Sequence, residues 1–155
     1  MLVGTRRGMV RVLLALVVAC ASGNADAPAL TVEAEARLSA RGLAVACDQD
    51  CVGTVVYVRD LVYESMNPPT PGDPLSDSQR MAISEQFGEV QFVNEREVEA
   101  IYAEGGVVFV VGPIRKLSNG LVEVEVSSEG VDSIDTQILP FAWNGRDWVP
   151  SRGGE

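Results

Sequence analysis

The chemistry open to this 155-residue chain is limited most of all by its lack of histidine. Without histidine there is no Ser-His-Asp or Cys-His catalytic arrangement, and most zinc and iron sites are excluded. The glycines also lack the spacing of a nucleotide-binding loop. The groups that remain for chemistry are 22 carboxylates, three cysteines and two tryptophans. We therefore expect no cofactor and no enzymatic activity that depends on histidine.

Carboxylates are abundant enough for two of them to face a cleft and act as the acid and base of a glycosidase-type hydrolase. Abundance does not define a site, so a small carboxylate-based hydrolase is kept only as an alternative function. Asp48, Asp50 and Asp60 lie near the first predicted strands, where their oxygens could surround a calcium ion. They do not follow the alternating pattern of a known calcium loop, so we predict no metal site.

An odd number of cysteines is unusual in an exported protein. Cys47 and Cys51 can close a small disulfide loop in an oxidising compartment. The alternative is a metal site formed by both thiolates with Asp48 and Asp50, but no second cysteine pair and no histidine could complete a zinc shell. We predict a disulfide between Cys47 and Cys51, which leaves Cys20 for a different role.

The N-terminal segment predicts export. It has a basic start and a short apolar run that ends before the length of a membrane-spanning helix: Arg6, Arg7, Arg11 and residues 12–21. Residues 17–20, Val-Val-Ala-Cys, resemble the lipobox of bacterial lipoprotein precursors. This resemblance implies that Cys20 is diacylated, becomes the new N-terminus and holds the protein at a membrane.

One alternative to lipidation stays open, and so does the export route. Cleavage after Ala21 would release a freely secreted protein, and Cys20 would then be an ordinary residue of the apolar segment. The paired arginines Arg6 and Arg7 also resemble a twin-arginine export signal, which implies that the domain folds before export.

Two tryptophans flank a predicted hairpin at the end of the chain. Trp143 and Trp148 enclose the turn sequence Asn144-Gly145, which favours a tight reversal because both residues tolerate positive φ. Aromatic residues at such positions usually pack across the strands. The alternative is that Trp143 and Trp148 form a platform on which a ligand stacks.

The first half of the domain is predicted from periodicity and turn signals. Residues 30–41 favour a helix, with Gly42 as its stop. Residues 43–47 and 52–63 are β-rich and predict strands. Residues 67–74 contain four prolines, which predicts an exposed loop that joins neither a helix nor a strand ladder.

Capping signals predict two further helices in the middle of the chain. Ser76 with Gln79 begins one that ends at Gly88, and Asn94 with Glu97 begins another, running to about residue 102. Residues whose pattern favours strands are 90–93, 107–111, 121–126, 137–142 and 148–149.

The C-terminal part is expected to form the main sheet. Ser118-Asn119-Gly120 is a second hairpin signal, and in residues 121–126 the valines share one face while the glutamates share the other. We expect that glutamate face to be wet. The last fifty or so residues resemble cystatin-like α+β rolls, which implies an α+β fold. Its sheet would be mainly antiparallel and C-terminal, with two or three short helices packed on it.

The net charge of −10 disfavours nucleic acid as a partner. A chain beginning at Cys20 would keep all 22 acidic residues and lose three of the 12 basic ones, for a net charge of −13. Such a surface is not drawn to anionic lipid headgroups. We therefore expect association with a membrane to come from the lipid on Cys20.

These observations predict a signal peptide in residues 1–19, a lipidated cysteine and flexible tether in 20–29, and one globular domain in 30–155. The expected location is extracytoplasmic, at the cell membrane or the outer membrane. The expected function is a non-enzymatic binding or structural module of the cell envelope, whose partner is an unknown envelope protein or component. The alternatives are a freely secreted binding or inhibitory protein and the small carboxylate-based hydrolase.

Overall fold

The computed structural model describes residues 27–51 and 53–152. It is an α+β fold with three helices and a seven-stranded, mostly antiparallel sheet, as the sequence predicts. The helices are α1 (Val32–Cys47), α2 (Asp77–Phe87) and α3 (Glu95–Ala103), and a short 3-10 turn (Asp48–Cys51) follows α1. The strands are β1 (Val56–Met66), β2 (Pro69–Pro71), β3 (Val90–Val93), β4 (Val108–Lys116), β5 (Val122–Gly130), β6 (Ser133–Trp143) and β7 (Trp148–Pro150).

The sheet has the order β2-β1-β4-β5-β6-β7, and β3 pairs with the first half of β1. Strand β1 is parallel to β3 and β4, whereas the other pairings are antiparallel. The two outermost strands, β2 and β7, have three residues each and contain proline. Short, proline-containing edge strands discourage further pairing with other chains.

Helices cover both faces of the sheet. On one face α1 packs against β4 and β5 with α2 beside it, and the shared core includes Leu38, Leu43 and Phe141. On the other face α3 forms a smaller cluster that includes Val98 and Val108. None of the helices in residues 27–51 and 53–152 has the length and apolarity needed to cross a membrane.

Local signals are confirmed at most of the predicted boundaries. Ser76 and Asn94 both form complete capping boxes, at α2 and α3. Both hairpin turns form, and Gly120 and Gly145 have φ values of 82° and 92°, where a side chain would be strained. The C-terminal strands form as predicted, although β4, β5 and β6 extend beyond the predicted residues.

The predicted helix stop at Gly42 is wrong. Helix α1 continues through Gly42 to Cys47, so residues 43–47 are helical and do not form the predicted strand. The absence of a side chain at Gly42 is explained by packing, because a Cβ atom there would lie 2.7 Å from Cγ1 of Val124. Glycine at this position lets α1 approach β5 closely.

Two other predictions are also wrong. Residues 67–74 do not exclude pairing, because Pro69–Pro71 forms β2 at the edge beside β1; proline is tolerated on an edge strand. The glutamate face of β5 is not uniformly wet either, because Glu125 is buried. Its carboxylate accepts a hydrogen bond from Arg115 at 2.5 Å, and such pairing offsets the cost of burying a charge.

Candidate binding site

A cavity of about 360 Å³ lies between the first half of α1 and the β6–β7 hairpin. We call it the Trp–Arg cavity after the five residues that distinguish its wall: Trp143, Trp148, Arg37, Arg41 and Arg146. The rest of the wall is formed by Pro28, Ala29, Thr31, Ala34, Leu38 and Asp147. The structure thus brings together the tryptophans that the sequence singles out and arginines that it does not.

The two indoles lie edge to face. Their ring centroids are 5.6 Å apart with an interplanar angle of 61°, an arrangement that aromatic pairs favour. Trp148 is 3% exposed and belongs to the main core, whereas Trp143 is half-buried at its margin. The buried Nε1 atom of Trp148 has no hydrogen-bond partner among the described residues. Both indoles therefore pack, and both also line the cavity.

Arg41 fixes the hairpin against α1. Its Nη2 atom lies 2.5 Å from Oδ2 of Asp147, and its Nη1 atom donates to the backbone carbonyl of Trp148. Within the hairpin, Oδ1 of Asn144 accepts from the backbone N–H groups of Arg146 and Asp147. These bonds position the indoles and the guanidiniums relative to one another.

The electrostatics of the Trp–Arg cavity are opposite to those of the whole chain. Three guanidiniums and one carboxylate, Asp147, line it, whereas the chain has a net charge of −10. Arg37 and Arg146 are exposed and make no ion pair with the carboxylates of the described residues. Their charges are therefore available to an anion entering the cavity.

The hydrogen bond from Arg41 is the main cause that holds the pKa of Asp147 below its ordinary value of 3.8. The backbone N–H of Trp148 and the charges of Arg41 and Arg37 act in the same direction, against the effect of partial burial. The carboxylate is thus ionised at neutral pH, and its charge serves to hold Arg41.

We expect the Arg41–Asp147 pair to stabilise the fold above pH 4 and to lose this effect in acid. A carboxyl group whose pKa is lowered by folding stabilises the folded state above its unfolded-state pKa. That stability is lost as the pH falls through the folded-state pKa. Because Asp147 is 43% exposed, the contribution should be at most about 1 kcal/mol. Urea unfolding from about pH 7 to 2 should show a steeper acid loss for the wild type than for Asp147→Asn. Parallel curves for the two proteins would contradict this.

A second group of charged and aromatic side chains lies on the opposite face of the sheet. We call Arg59, Tyr63, Glu95, Tyr102 and Glu129 the Arg59 cluster. The guanidinium of Arg59 is 3.0 Å from Glu95 and 3.4 Å from Glu129, and its side chain is 10% exposed. The Tyr102 hydroxyl donates to Glu129 at 3.1 Å, and Arg59 lies 5.8 Å from the ring centre of Tyr63.

The arrangement of the Arg59 cluster favours attachment of α3 over acid–base chemistry. Glu95 begins α3 and Glu129 lies on β5, so the shared guanidinium joins the helix to the sheet. Burial raises the pKa of Tyr102 to about 12, and the Glu129 charge acts in the same direction. The hydroxyl therefore stays protonated and donates. The sequence patterns did not predict this cluster, although Arg59 inside an apolar strand was a signal for it.

Two of the three carboxylates considered for a metal site, Asp48 and Asp60, lie on different elements of the fold. Asp60 is paired with Arg80 of α2 at 2.9 Å, Asp48 ends α1, and the side chain of Asp50 lies outside the described part of the structure. No group of three His, Cys, Asp or Glu residues among those described could hold a metal ion.

The cysteines fall into two sets. The Cα atoms of Cys47 and Cys51 are 5.6 Å apart and their sulfurs are joined as a disulfide at the end of α1. Cys20, with the rest of the segment that is predicted to direct export, lies outside the described residues.

Comparisons with known proteins add no further information. No family model matches the chain, and neither a curated protein nor a solved structure shows significant similarity to it.

Proposed function

We propose that this protein is an exported lipoprotein, anchored through Cys20, whose α+β domain binds an anionic ligand of the cell envelope. The observation that carries the binding role is the Trp–Arg cavity. It places three guanidiniums and two indoles in one wall. Its volume of about 360 Å³ lies within the range of small-ligand sites.

The two kinds of side chain have complementary roles. An indole offers a large apolar surface at a small cost in conformational entropy, so it can support the flat side of a ring. A guanidinium binds carboxylate or phosphate oxygens through charge-assisted hydrogen bonds. The ligand that suits this cavity is therefore a ring that carries an acidic group.

The composition of the wall supports binding without catalysis. Its one carboxylate, Asp147, is engaged by Arg41, and the remaining polar groups of the side chains are the Thr31 hydroxyl, the guanidiniums and the indole N–H groups. A general base or an activated nucleophile would need a neighbour that shifts or accepts its proton. We therefore assign the domain a binding role and no reaction.

The chain offers a direct assay, because Trp143 and Trp148 are its only tryptophans and both line the cavity. Titration with cyclohexanecarboxylate should change the tryptophan emission saturably. Its neutral analogue, cyclohexanecarboxamide, should bind at least about tenfold more weakly, since charge-assisted hydrogen bonds contribute about 1.5–3 kcal/mol each.

Variants separate this site from nonspecific binding. The double change Arg37→Gln and Arg146→Gln should weaken carboxylate binding at least about tenfold. The matched control is Arg96→Gln, which alters an exposed arginine on α3, outside the cavity. Equal binding of the acid and the amide, or an equal loss in the control, would refute the assignment.

The anchor rests on the lipobox resemblance of residues 17–20 and is tested separately. In a bacterial host, the mature protein should carry a diacylglyceryl group on Cys20 by intact mass, and label from a clickable fatty acid should disappear in Cys20→Ser. A mature chain that begins at Ser22 would instead identify a freely secreted protein. Label retained in Cys20→Ser would also contradict the anchor.

A further inference from the structure

The Trp–Arg cavity lies where the chain enters the domain. Pro28, Ala29 and Thr31, which belong to the first described residues, form part of its wall. The backbone carbonyl of Pro28 also accepts a hydrogen bond from Lys116 at 3.4 Å, which holds this entry segment against β4. The described part of the chain therefore begins beside the cavity, with Ala27 packed against the main core.

The length of the preceding segment limits how far the cavity can lie from an anchor on Cys20. Seven residues lie between Cys20 and Pro28, so their Cα atoms are eight residue steps apart and at most about 29 Å from each other along a fully extended chain. An acylated Cys20 would thus keep the cavity close to the lipid headgroups.

The local charge of the cavity favours lipid phosphates despite the acidity of the chain. The wall has two more positive than negative side chains, and charges beyond about 8 Å are largely screened at physiological ionic strength. Arginine matches the geometry of phosphate oxygens, and tryptophan is enriched at the membrane interface. The expectation from net charge, that headgroups are not attracted, does not apply to this part of the surface.

We propose that the Trp–Arg cavity binds the phosphodiester headgroup of a lipid in the same leaflet that holds the acyl anchor. This inference rests on the proposed function, because it needs the lipid on Cys20 and an anion site in the cavity. Tethering raises the local headgroup concentration to the millimolar range or above, so a weak individual contact is enough. The domain then stands on the membrane in one orientation, with its hairpin and the start of α1 facing the lipid.

The test uses the mature lipidated protein in two kinds of vesicle. One is made of phosphatidylcholine and the other of digalactosyldiacylglycerol, which has no phosphate. Both contain the same small fraction of a phosphate-free diacylglycerol lipid with a spin label at the depth of the headgroups, and the label quenches tryptophan on contact. We expect Trp143 and Trp148 to be quenched in phosphatidylcholine. The apparent affinity for the headgroup, taken from the fraction of tryptophan emission that is quenched, should be about tenfold higher there than in the galactolipid.

Variants and a soluble anion complete the design. Arg37→Gln with Arg146→Gln should lower the apparent headgroup affinity in phosphatidylcholine about tenfold, while Arg96→Gln should match the wild type. Inorganic phosphate at millimolar concentration should not release the headgroup. Release at that concentration would identify a site for free phosphate and overturn the lipid assignment.

The remaining outcomes separate this inference from the proposed function. Equal quenching in the two vesicles, or in the wild type and the double variant, would overturn headgroup binding. If headgroup binding is overturned while cyclohexanecarboxylate still binds and Cys20 is acylated, the proposed function stands without the lipid headgroup as ligand. An unacylated Cys20 would overturn the inference together with the anchor, while carboxylate binding in the cavity would stand.

Discussion

Replacement of Arg59 by methionine should lower the free energy of unfolding by about 3–5 kcal/mol. The reason is that Glu129, whose side chain is 7% exposed, would remain buried without the guanidinium that now pairs with its carboxylate. Glu95 loses the same partner but is 72% exposed, so water can replace the guanidinium there. Urea unfolding at neutral pH measures the effect, with helix content by circular dichroism as a check that the variant folds.

A compensating variant distinguishes an unpaired charge from lost packing. Arg59→Met combined with Glu129→Met removes both charges and keeps apolar volume, so it should recover most of the lost stability. The matched control is Arg96→Met, at an exposed arginine of α3, for which a change within about 0.5 kcal/mol is expected. If Arg59→Met costs no more than Arg96→Met, the cluster does not hold α3 to the sheet.

Replacement of Gly42 by leucine should destabilise the fold by about 1–3 kcal/mol, or more. A Cβ atom at this position would lie 2.7 Å from Cγ1 of Val124 and 3.1 Å from Cγ2 of Val126, so α1 would have to move away from β5. This cost outweighs the gain of about 1 kcal/mol in helix propensity. Urea unfolding gives the stability, and the cyclohexanecarboxylate titration should show weaker binding because Arg37 and Arg41 move with α1.

Two variants test whether the cause is the close approach of α1 to β5. Val45→Leu adds apolar volume to the same helix at a 40% exposed position and should change the free energy of unfolding by no more than about 0.5 kcal/mol. Adding Val124→Ala to Gly42→Leu makes room opposite the new side chain and should restore part of the stability. Destabilisation that is equal in Val45→Leu, or unchanged by Val124→Ala, would contradict this explanation.

The boundaries that were predicted well depend on neighbours in sequence. The capping boxes at Ser76 and Asn94 use a side chain three residues ahead, and the hairpin at Gly145 needs a residue that tolerates positive φ. The alternation of valines on β5 likewise marked a strand. Each of these signals acts within a few residues, so tertiary contacts need not be known to interpret them.

The failures at Gly42 and Glu125 come from contacts with side chains on other elements of the fold. Gly42 is a helix stop by local rules, but its contacts are with Val124 and Val126, more than eighty positions later. Glu125 is buried and pairs with Arg115 of the neighbouring strand. Tertiary packing of this kind overrides propensity, because it contributes more free energy than a single residue preference.

The candidate site shows the same difference between what local signals predict and what tertiary contacts decide. The sequence by itself determined the α+β class, the closing hairpin and the two indoles that flank it, since strand periodicity and turn chemistry are local. Only the tertiary structure decided that Arg37 and Arg41 of α1 meet Trp143 and Trp148 and that Arg59 lies buried between two carboxylates. The physical reason is that the cavity wall and the buried ion network consist of residues that are far apart in sequence. Packing of the helices on the sheet brings these residues together, and no local pattern encodes that packing.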